Sequence, residues 1–206
     1  SSYSVTGVQT CALPISLANI IFGDVTPSGK LPITFPKKLG DSPAHQSRRT
    51  FPGDEKVYYD EGIYVGYRHF DSKNIEPLFP FGHGLSYTTF ELSNPKTNKT
   101  TYKPDEMIEI TLSVKNTGNR IGAEVVQVYS HDVKSTVVRP DKELVGFEKV
   151  WLKPGEQKQI AVQVKVADLA FYDESIHDWK IEPGEFILRL GTSSREIINE
   201  LAITVQ

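Results

Sequence analysis

The chain has 206 residues, of which 38% are hydrophobic and 24% are charged, and its formal net charge is −3. This composition is typical of a folded globular protein, so it excludes a disordered chain and gives no electrostatic reason to expect a nucleic acid or a membrane as partner. No apolar run approaches the roughly 18 residues of a membrane-spanning helix. The single cysteine, Cys11, excludes a disulfide within the chain and a multi-thiolate zinc site.

The first residues are unlike the rest of the chain. Residues 6–15 read Thr-Gly-Val-Gln-Thr-Cys-Ala-Leu-Pro-Ile, which resembles one reading frame of a common sequencing-library adapter. We therefore predict that residues 1–16 are adapter-derived and leave them out of the fold prediction. A short signal segment is the disfavoured alternative, because no basic residues precede the apolar ones. The native N-terminal part is then missing, so the sequence leaves localisation open between a periplasmic or secreted and a cytoplasmic protein.

Residues 17–36 predict the end of a helix followed by one strand. The apolar stretch 17–22 is helical in pattern and stops at Gly23. Residues 31–36 are extended, and their two prolines restrict them to the edge of a sheet. One helix and one edge strand cannot bury a core, so we predict that this segment is the remnant of a larger α/β sandwich domain.

Residues 37–86 predict a linker, which we call the strap. Its densest aromatic part, residues 57–70, contains several tyrosines, which bury large areas when a partner surface exists. It ends in a corner, residues 77–90, that reads Pro-Leu-Phe-Pro-Phe-Gly-His-Gly-Leu-Ser-Tyr-Thr-Thr-Phe. The prolines and glycines exclude a regular helix or a central strand there. We predict that the strap lies over neighbouring domains and that the corner leads into a strand near Tyr87.

From residue 87 onward, apolar residues recur with the period of two that is typical of half-buried strands. The clearest case is Ile108, Ile110, Leu112 and Val114, and a bulge is predicted at Gly146 in a later strand. Seven or eight strands with turn signals and no helix predict an antiparallel β-sandwich over residues 87–206, making the chain mainly β. Without a cysteine pair, the fibronectin type III-like form of the immunoglobulin-like sandwich is favoured.

The sequence predicts no catalytic residue, metal site or cofactor. Asp60 and Glu61 are the nearest approach to a carboxylate pair, but neighbours in an extended chain point to opposite faces. Residues 130–132, Ser-His-Asp, contain the residue types of a catalytic triad without its geometry, for the same reason. The five histidines show no zinc spacing, and no glycine-rich phosphate loop follows a strand.

The tyrosines of the strap allow two interpretations. The candidates for the rim of a sugar-binding pocket are Tyr59, Glu61, Tyr67 and Arg68, since their side chains could stack on or bond to sugar rings. Burial against an adjoining domain is favoured, because tyrosine and arginine are the usual energetic centres of interfaces. The strap therefore predicts an interface more strongly than a binding site.

Three runs in this order resemble the C-terminal part of a glycoside hydrolase family 3 enzyme: residues 22–36, residues 59–68 and the corner. The sandwich adds family-like runs at 139–147, 152–156 and 169–173. The resemblance covers residues 17–206. These residues are most similar to bacterial and fungal β-glucosidases, and a β-xylosidase is the alternative for the longer protein, or parent, from which the chain would come.

This resemblance implies a parent with a catalytic barrel, an α/β sandwich domain and the fibronectin type III-like module. It also implies a nucleophilic aspartate on the barrel and an acid/base carboxylate upstream of this chain, with no matching position here. The parent would hydrolyse terminal β-D-glucosyl residues with retention and without a cofactor. We therefore expect a non-catalytic module whose partners are the missing domains and, through the parent, a β-glucoside or oligosaccharide.

Two alternatives remain open at this point. The first is a carbohydrate-binding or cell-surface β-sandwich module without hydrolase activity. The second, disfavoured because the residues show no pairing geometry, is an independent hydrolase built from Asp60, Glu61 or Asp173.

Overall fold

The computed structural model describes residues 14–206. A helix, α1, occupies residues 14–21, and Gly23 follows it with a φ of +81°, which is the left-handed conformation that commonly ends a helix. The helix predicted before Gly23 is therefore present. The predicted adapter origin of residues 1–16 concerns a range that lies mostly outside the described residues, and it stays a prediction.

Residues 14–89, which we call the N-terminal segment, contain little regular structure. Two short 3₁₀ turns, Leu39–Asp41 and Pro43–His45, lie in its middle. The predicted strand at residues 31–36 is only an isolated bridge between Phe35 and Phe79. The reason is that its prolines lack the N–H groups that a longer ladder would need.

A helix that the sequence pattern did not predict, α2 (Tyr67–Ser72), lies within the strap. It follows Gly66, whose φ is +59°, and it buries His69 and Phe70. Six residues are too few for a helix that is stable by propensity alone, so this turn depends on tertiary contacts. The strap is therefore more ordered than its lack of periodicity indicated.

The sandwich consists of ten strands within the described residues. Their bounds are β1 Phe90–Thr97, β2 Thr101–Tyr102, β3 Met107–Asn116, β4 Gly122–Asp132, β5 Glu143–Leu152, β6 Gln157–Lys165, β7 Phe171–Asp173, β8 Asp178–Lys180, β9 Gly184–Gly191 and β10 Ile197–Val205. One sheet has the order β1-β3-β6, the other has the order β2-β10-β9-β4-β5, and β7 and β8 form a separate hairpin. Only the short β2–β10 pairing is parallel. The predicted mainly β, sandwich-like fold is confirmed.

The core lies between the two larger sheets. The alternating side chains of β3 (Ile108, Ile110, Leu112 and Val114) are at most 1% exposed, and they face buried residues of β4, β9 and β10. The predicted bulge is present beside Gly146, where the β4–β5 register shifts between Val128 and Tyr129. A side chain on Gly146 would meet two valines of β6 at about 3 Å, so the residue must be small.

Candidate functional site

The strap is attached to the sandwich by an aromatic contact at the start of α2. The ring of Tyr67 lies 5.2 Å from that of Phe81 and 5.8 Å from that of Tyr129, measured between centroids. The Tyr67 hydroxyl oxygen accepts a hydrogen bond from the Leu144 N–H at 2.9 Å. Tyr67, a predicted rim candidate, therefore packs on β4 and β5 within the molecule.

Arg68, the next candidate, belongs to a network of charges on the sandwich. Its guanidinium lies 3.3 Å from Oε1 of Glu143, and the other carboxylate oxygen, Oε2, accepts a 2.6 Å hydrogen bond from Arg139. Arg139 additionally pairs with Asp132 at 3.3 Å and donates to the Leu169 carbonyl. Arg68 thus connects the strap to a network that is already formed within the sandwich.

The carboxylate of Asp71, at the end of α2, is buried between two cations of the sandwich. Its two oxygens lie 3.0 Å from Lys142 Nζ and 2.9 Å from Arg195 Nε. Arg195 also donates to the carbonyl oxygens of Phe70 and Ile75. These bonds fix both the helix and the residues that follow it, so α2 owes its position to charges that the sandwich supplies.

The aromatic corner is held by a buried amide. Gln127 Nε2 donates to the carbonyl oxygens of Gly82 and Thr192, at 3.2 and 2.7 Å. The Tyr129 hydroxyl donates to Gln127 Oε1, and burial raises the Tyr129 pKa, so this hydroxyl stays protonated. The Ser194 N–H also donates to the Phe81 carbonyl oxygen. The sandwich therefore holds the corner through hydrogen bonds to the carbonyl groups of Phe81 and Gly82.

Residues 14–36 are tied to the sandwich and to the corner by long polar side chains. Lys30 pairs with Glu124 at 2.7 Å, and Arg120 donates to the Gly23 carbonyl oxygen at 2.6 Å. The Tyr87 hydroxyl donates to the Ile20 carbonyl oxygen at 2.7 Å. Apolar burial is scarce in this part, which distinguishes it from the sandwich.

The remaining two candidates, Tyr59 and Glu61, lie elsewhere on the strap. Tyr59 is 82% exposed. Glu61 lines a cavity of about 350 Å³ together with Asp60 and His69, and its Oε2 is buried with no hydrogen-bond partner among the described residues. Tyr67 and Arg68 line a different cavity, of about 470 Å³. The four candidates therefore share no single cavity, and a role for them in sugar binding stays a prediction.

The carboxylates that the sequence offered for catalysis are engaged in other contacts. Asp60 pairs with Arg49 at 3.3 Å. Hydrogen bonds from Ser175 lower the pKa of Asp173, which is opposite to the raised pKa that a general acid needs at neutral pH. Within residues 130–132, the serine, histidine and aspartate have separate partners on the 139–143 stretch. None of these groups forms the nucleophile and acid pair of a glycosidase.

Two further absences apply to the described residues alone. Between residues 14 and 206, no three histidine, cysteine, aspartate or glutamate side chains are grouped so that they could hold a metal ion. No helix in that range has the length and apolar character needed to cross a membrane.

A cleft that sequence reasoning missed lies beside the β7–β8 hairpin. It has a volume of about 610 Å³, and its lining includes Tyr172 and Trp179. The ring of Trp179 is 68% exposed, which no pattern in the sequence indicated. Only the packing of the hairpin outside the two large sheets determines that exposure.

Two family models match this chain. The Glycosyl hydrolase family 3 C-terminal domain matches residues 12–67, and the Fibronectin type III-like domain matches residues 124–194. Thermostable beta-glucosidase B of Acetivibrio thermocellus is 49% identical over 195 residues. This chain belongs to glycoside hydrolase family 3 and corresponds to the C-terminal part of a family member.

Solved structures of the family have the same fold over this region. The beta-glucosidase DesR of Streptomyces venezuelae, in complex with D-glucose, superposes with a TM-score of 0.86 at 38% identity and 92% coverage of this chain. The beta-glucosidase of Kluyveromyces marxianus, in complex with glucose, gives a TM-score of 0.82 at 43% identity and the same coverage.

The chain spans about a quarter of the length of these family members. The match with the Acetivibrio protein includes 94% of this chain and 25% of that protein, and this chain covers 24% of DesR. The family 3 relatives therefore contain further domains, of which this region is the C-terminal neighbour. The domain bounds expected from the sequence, 17–36, 37–86 and 87–206, stay a prediction.

Proposed function

We propose that the full-length protein is a retaining β-glucosidase that hydrolyses terminal β-D-glucosyl residues, and that this chain is its non-catalytic structural module. One observation carries the structural part of the proposal. Among the described residues, 29 large hydrophobic side chains are exposed, and 17 of them lie between residues 17 and 87. Exposed apolar surface at this density is typical of an interface whose partner is another protein surface.

The missing domains of the same chain are the partner that fits this surface best. The exposed apolar side chains lie on the part that the sequence predicts to be an α/β remnant and a strap, and the sandwich holds that part in place through Asp71, Gln127 and Lys30. We infer that the sandwich presents the N-terminal segment in a fixed shape to a catalytic barrel and an α/β sandwich domain. The module then contributes to activity through domain position rather than chemistry.

The proposed reaction is inferred from the activity of the relatives. The relatives named above are β-glucosidases, and a retaining glycosidase needs two carboxyl groups about 5–5.5 Å apart across the sugar. Asp60 and Asp173, the carboxylates that the sequence offered here, are bound by Arg49 and by Ser175. Both catalytic carboxyl groups are therefore assigned to the domains outside this chain.

The decisive experiment measures turnover of an aryl β-glucoside by the purified 206-residue chain and by the full-length protein. We expect no turnover by the chain and turnover by the full-length protein. An aryl β-xyloside, assayed in parallel, separates a β-glucosidase from a β-xylosidase parent. Turnover by the chain that persists through repurification and is lost in an Asp60→Asn or Glu61→Gln variant would overturn the proposal.

A further inference from the structure

The β7–β8 hairpin presents two aromatic rings to solvent in a fixed arrangement. Tyr172 and Trp179 lie directly opposite each other in the ladder, with ring centroids 5.9 Å apart and ring planes at 78°. Tyr172 is 49% exposed and Trp179 is 68% exposed. Beside them, Phe171 pairs with Lys180, whose ammonium lies 5.9 Å from the Phe171 ring centroid. Because the two rings are already held against each other, a ligand that binds them loses little free energy to the ordering of these side chains.

The hairpin forms one wall of the 610 Å³ cleft, a volume within the range of small-ligand sites. The same cleft is lined by carboxylates and by arginines, so apolar ring faces and hydrogen-bonding groups converge on one space. The charged residues of the lining are Arg68, Arg139, Glu143, Asp168, Asp173 and Glu174. Six of the 17 lining residues are charged, whereas the core of a protein interface is depleted in charged residues.

The charges of the cleft favour a neutral ligand. Four carboxylates face two guanidinium groups, so the excess is acidic and disfavours phosphates, uronates and nucleic acids. Arg139 is already bonded to Asp132 and Glu143, whereas Asp168 and Glu174 form no ion pair with any residue between 14 and 206. These two carboxylates are available as acceptors for hydroxyl donors.

We propose that this cleft is a saccharide-binding site that holds a β-linked glucan. The apolar faces of pyranose rings stack on Trp179 and Tyr172, and sugar hydroxyls donate to Asp168 and Glu174. The preference for a neutral sugar follows from the lining, while the choice of glucan rests on the proposed function. The site binds the polymer and performs no chemistry.

The test uses the 206-residue chain and cello-oligosaccharides of four to six units, titrated by calorimetry and by tryptophan fluorescence. The chain has two tryptophans, so Trp151→Phe leaves Trp179 as the single reporter. We expect saturable binding that Trp179→Ala weakens about tenfold or more, through loss of a stacked ring. Glu174→Gln, which leaves the hairpin rings in place, should weaken binding about threefold or more.

Trp151→Ala is the matched control. Trp151 is also a half-exposed tryptophan, at 50%, but it lies on β5 with Lys149 and does not line the cleft. It should bind as the unchanged chain does. Equal losses in the Trp151 and Trp179 variants, or no binding of the unchanged chain up to about 10 mM sugar, would overturn the inference. So would loss of binding when the upstream domains are added, because the cleft would then be a contact between domains.

This result is separable from the test of the proposed function. If the full-length protein hydrolyses β-glucosides but the chain binds no glucan, only the cleft proposal is wrong. If the chain binds cello-oligosaccharides through Trp179 but the full-length protein has no glucosidase activity, the proposed reaction is wrong. The cleft then remains a binding site.

Discussion

The sandwich and the N-terminal segment are held by different forces. Between residues 14 and 206 the structure buries 22 hydrophobic residues, of which 21 lie between residues 92 and 205 and only Phe70 lies in the N-terminal segment. That segment is attached through ion pairs and carbonyl hydrogen bonds, including those of Asp71, Gln127 and Arg120. The difference indicates that apolar burial stabilises the sandwich, whereas the segment takes its shape from polar contacts with the sandwich and leaves most of its large apolar side chains exposed.

Truncating a core leucine should have the largest effect. Leu112 is 1% exposed at the centre of β3. We expect Leu112→Ala to lower the free energy of unfolding by about 4 kcal/mol, from lost burial and a cavity. Urea unfolding followed by circular dichroism measures this.

The matched control is Leu85→Ala in the N-terminal segment, since Leu85 is 75% exposed. It should change the free energy of unfolding by less than about 0.5 kcal/mol. Equal losses in the two variants would contradict the division of the molecule into a packed and an attached part.

Removing the buried carboxylate of α2 should have the next largest effect. Asp71→Ala removes the closest partner of Lys142, whose side chain is only 11% exposed, and it also removes the shortest ion pair of Arg195. We expect a loss of about 3 kcal/mol, because Lys142 then stays buried with only a longer contact, of 3.7 Å, to Asp141.

The control for Asp71 is Asp54→Ala, which removes a largely exposed ion pair with Arg48. That pair should contribute almost nothing. Hydrogen exchange adds a second measurement: protection of the α2 amides should be lost in Asp71→Ala while the amides of β3 stay protected. If β3 loses protection equally, the strap and the sandwich form one cooperative unit.

Adding a side chain at Gly82, in the corner, should have the next largest effect on the free energy of unfolding. Gly82 has a φ of +78°, and a Cβ there would collide with the amide of Gln127. We expect Gly82→Ala to cost about 2 kcal/mol, from backbone strain and loss of the Gln127 bonds. Gly155→Ala has a similar φ of +73° in open space and should cost less, about 1 kcal/mol. Equal costs would show that conformation alone, without the Gln127 contact, determines the effect.

The smallest effect should be a dependence of stability on pH. Burial lowers the pKa of His69, against the opposing effect of the Asp41 carbonyl oxygen, which lies 3.1 Å from Nε2. In the unfolded chain, the imidazole of His69 titrates near pH 6.5, at about its ordinary pKa. Below that pH the unfolded chain binds more protons than the folded chain, so the free energy of unfolding falls as the pH drops. Unfolding measured between about pH 5.5 and 7.5 should show a shallower slope in His69→Gln than in the unchanged chain. An unchanged slope in His69→Gln would contradict this expectation.

The predictable part of the molecule was the part with local periodicity. The alternation around Ile110 fixes which face of β3 is buried, and the bulge beside Gly146 follows from a glycine in an apolar strand. Helix α2 was missed because it has no apolar repeat of its own. The partners that hold it, Lys142 and Arg195, lie far along the chain, and no local pattern indicates such pairs.

The candidate sites divide in the same way. The sequence located an aromatic strap and favoured an interface for it, and Tyr67 and Arg68 do contact the sandwich. It did not indicate the cleft at Trp179, since exposure depends on which other elements cover a side chain.

The sequence by itself determined the family and the sandwich, because strand periodicity and motif order are local properties. The position of the catalytic carboxylates outside this chain follows from the family resemblance and stays a prediction. Only the tertiary structure decided how residues 14–89 are held, through buried charges such as Asp71 and carbonyl bonds such as those of Gln127. These contacts join residues far apart in the chain, and their strength depends on burial and distance, which no linear pattern contains.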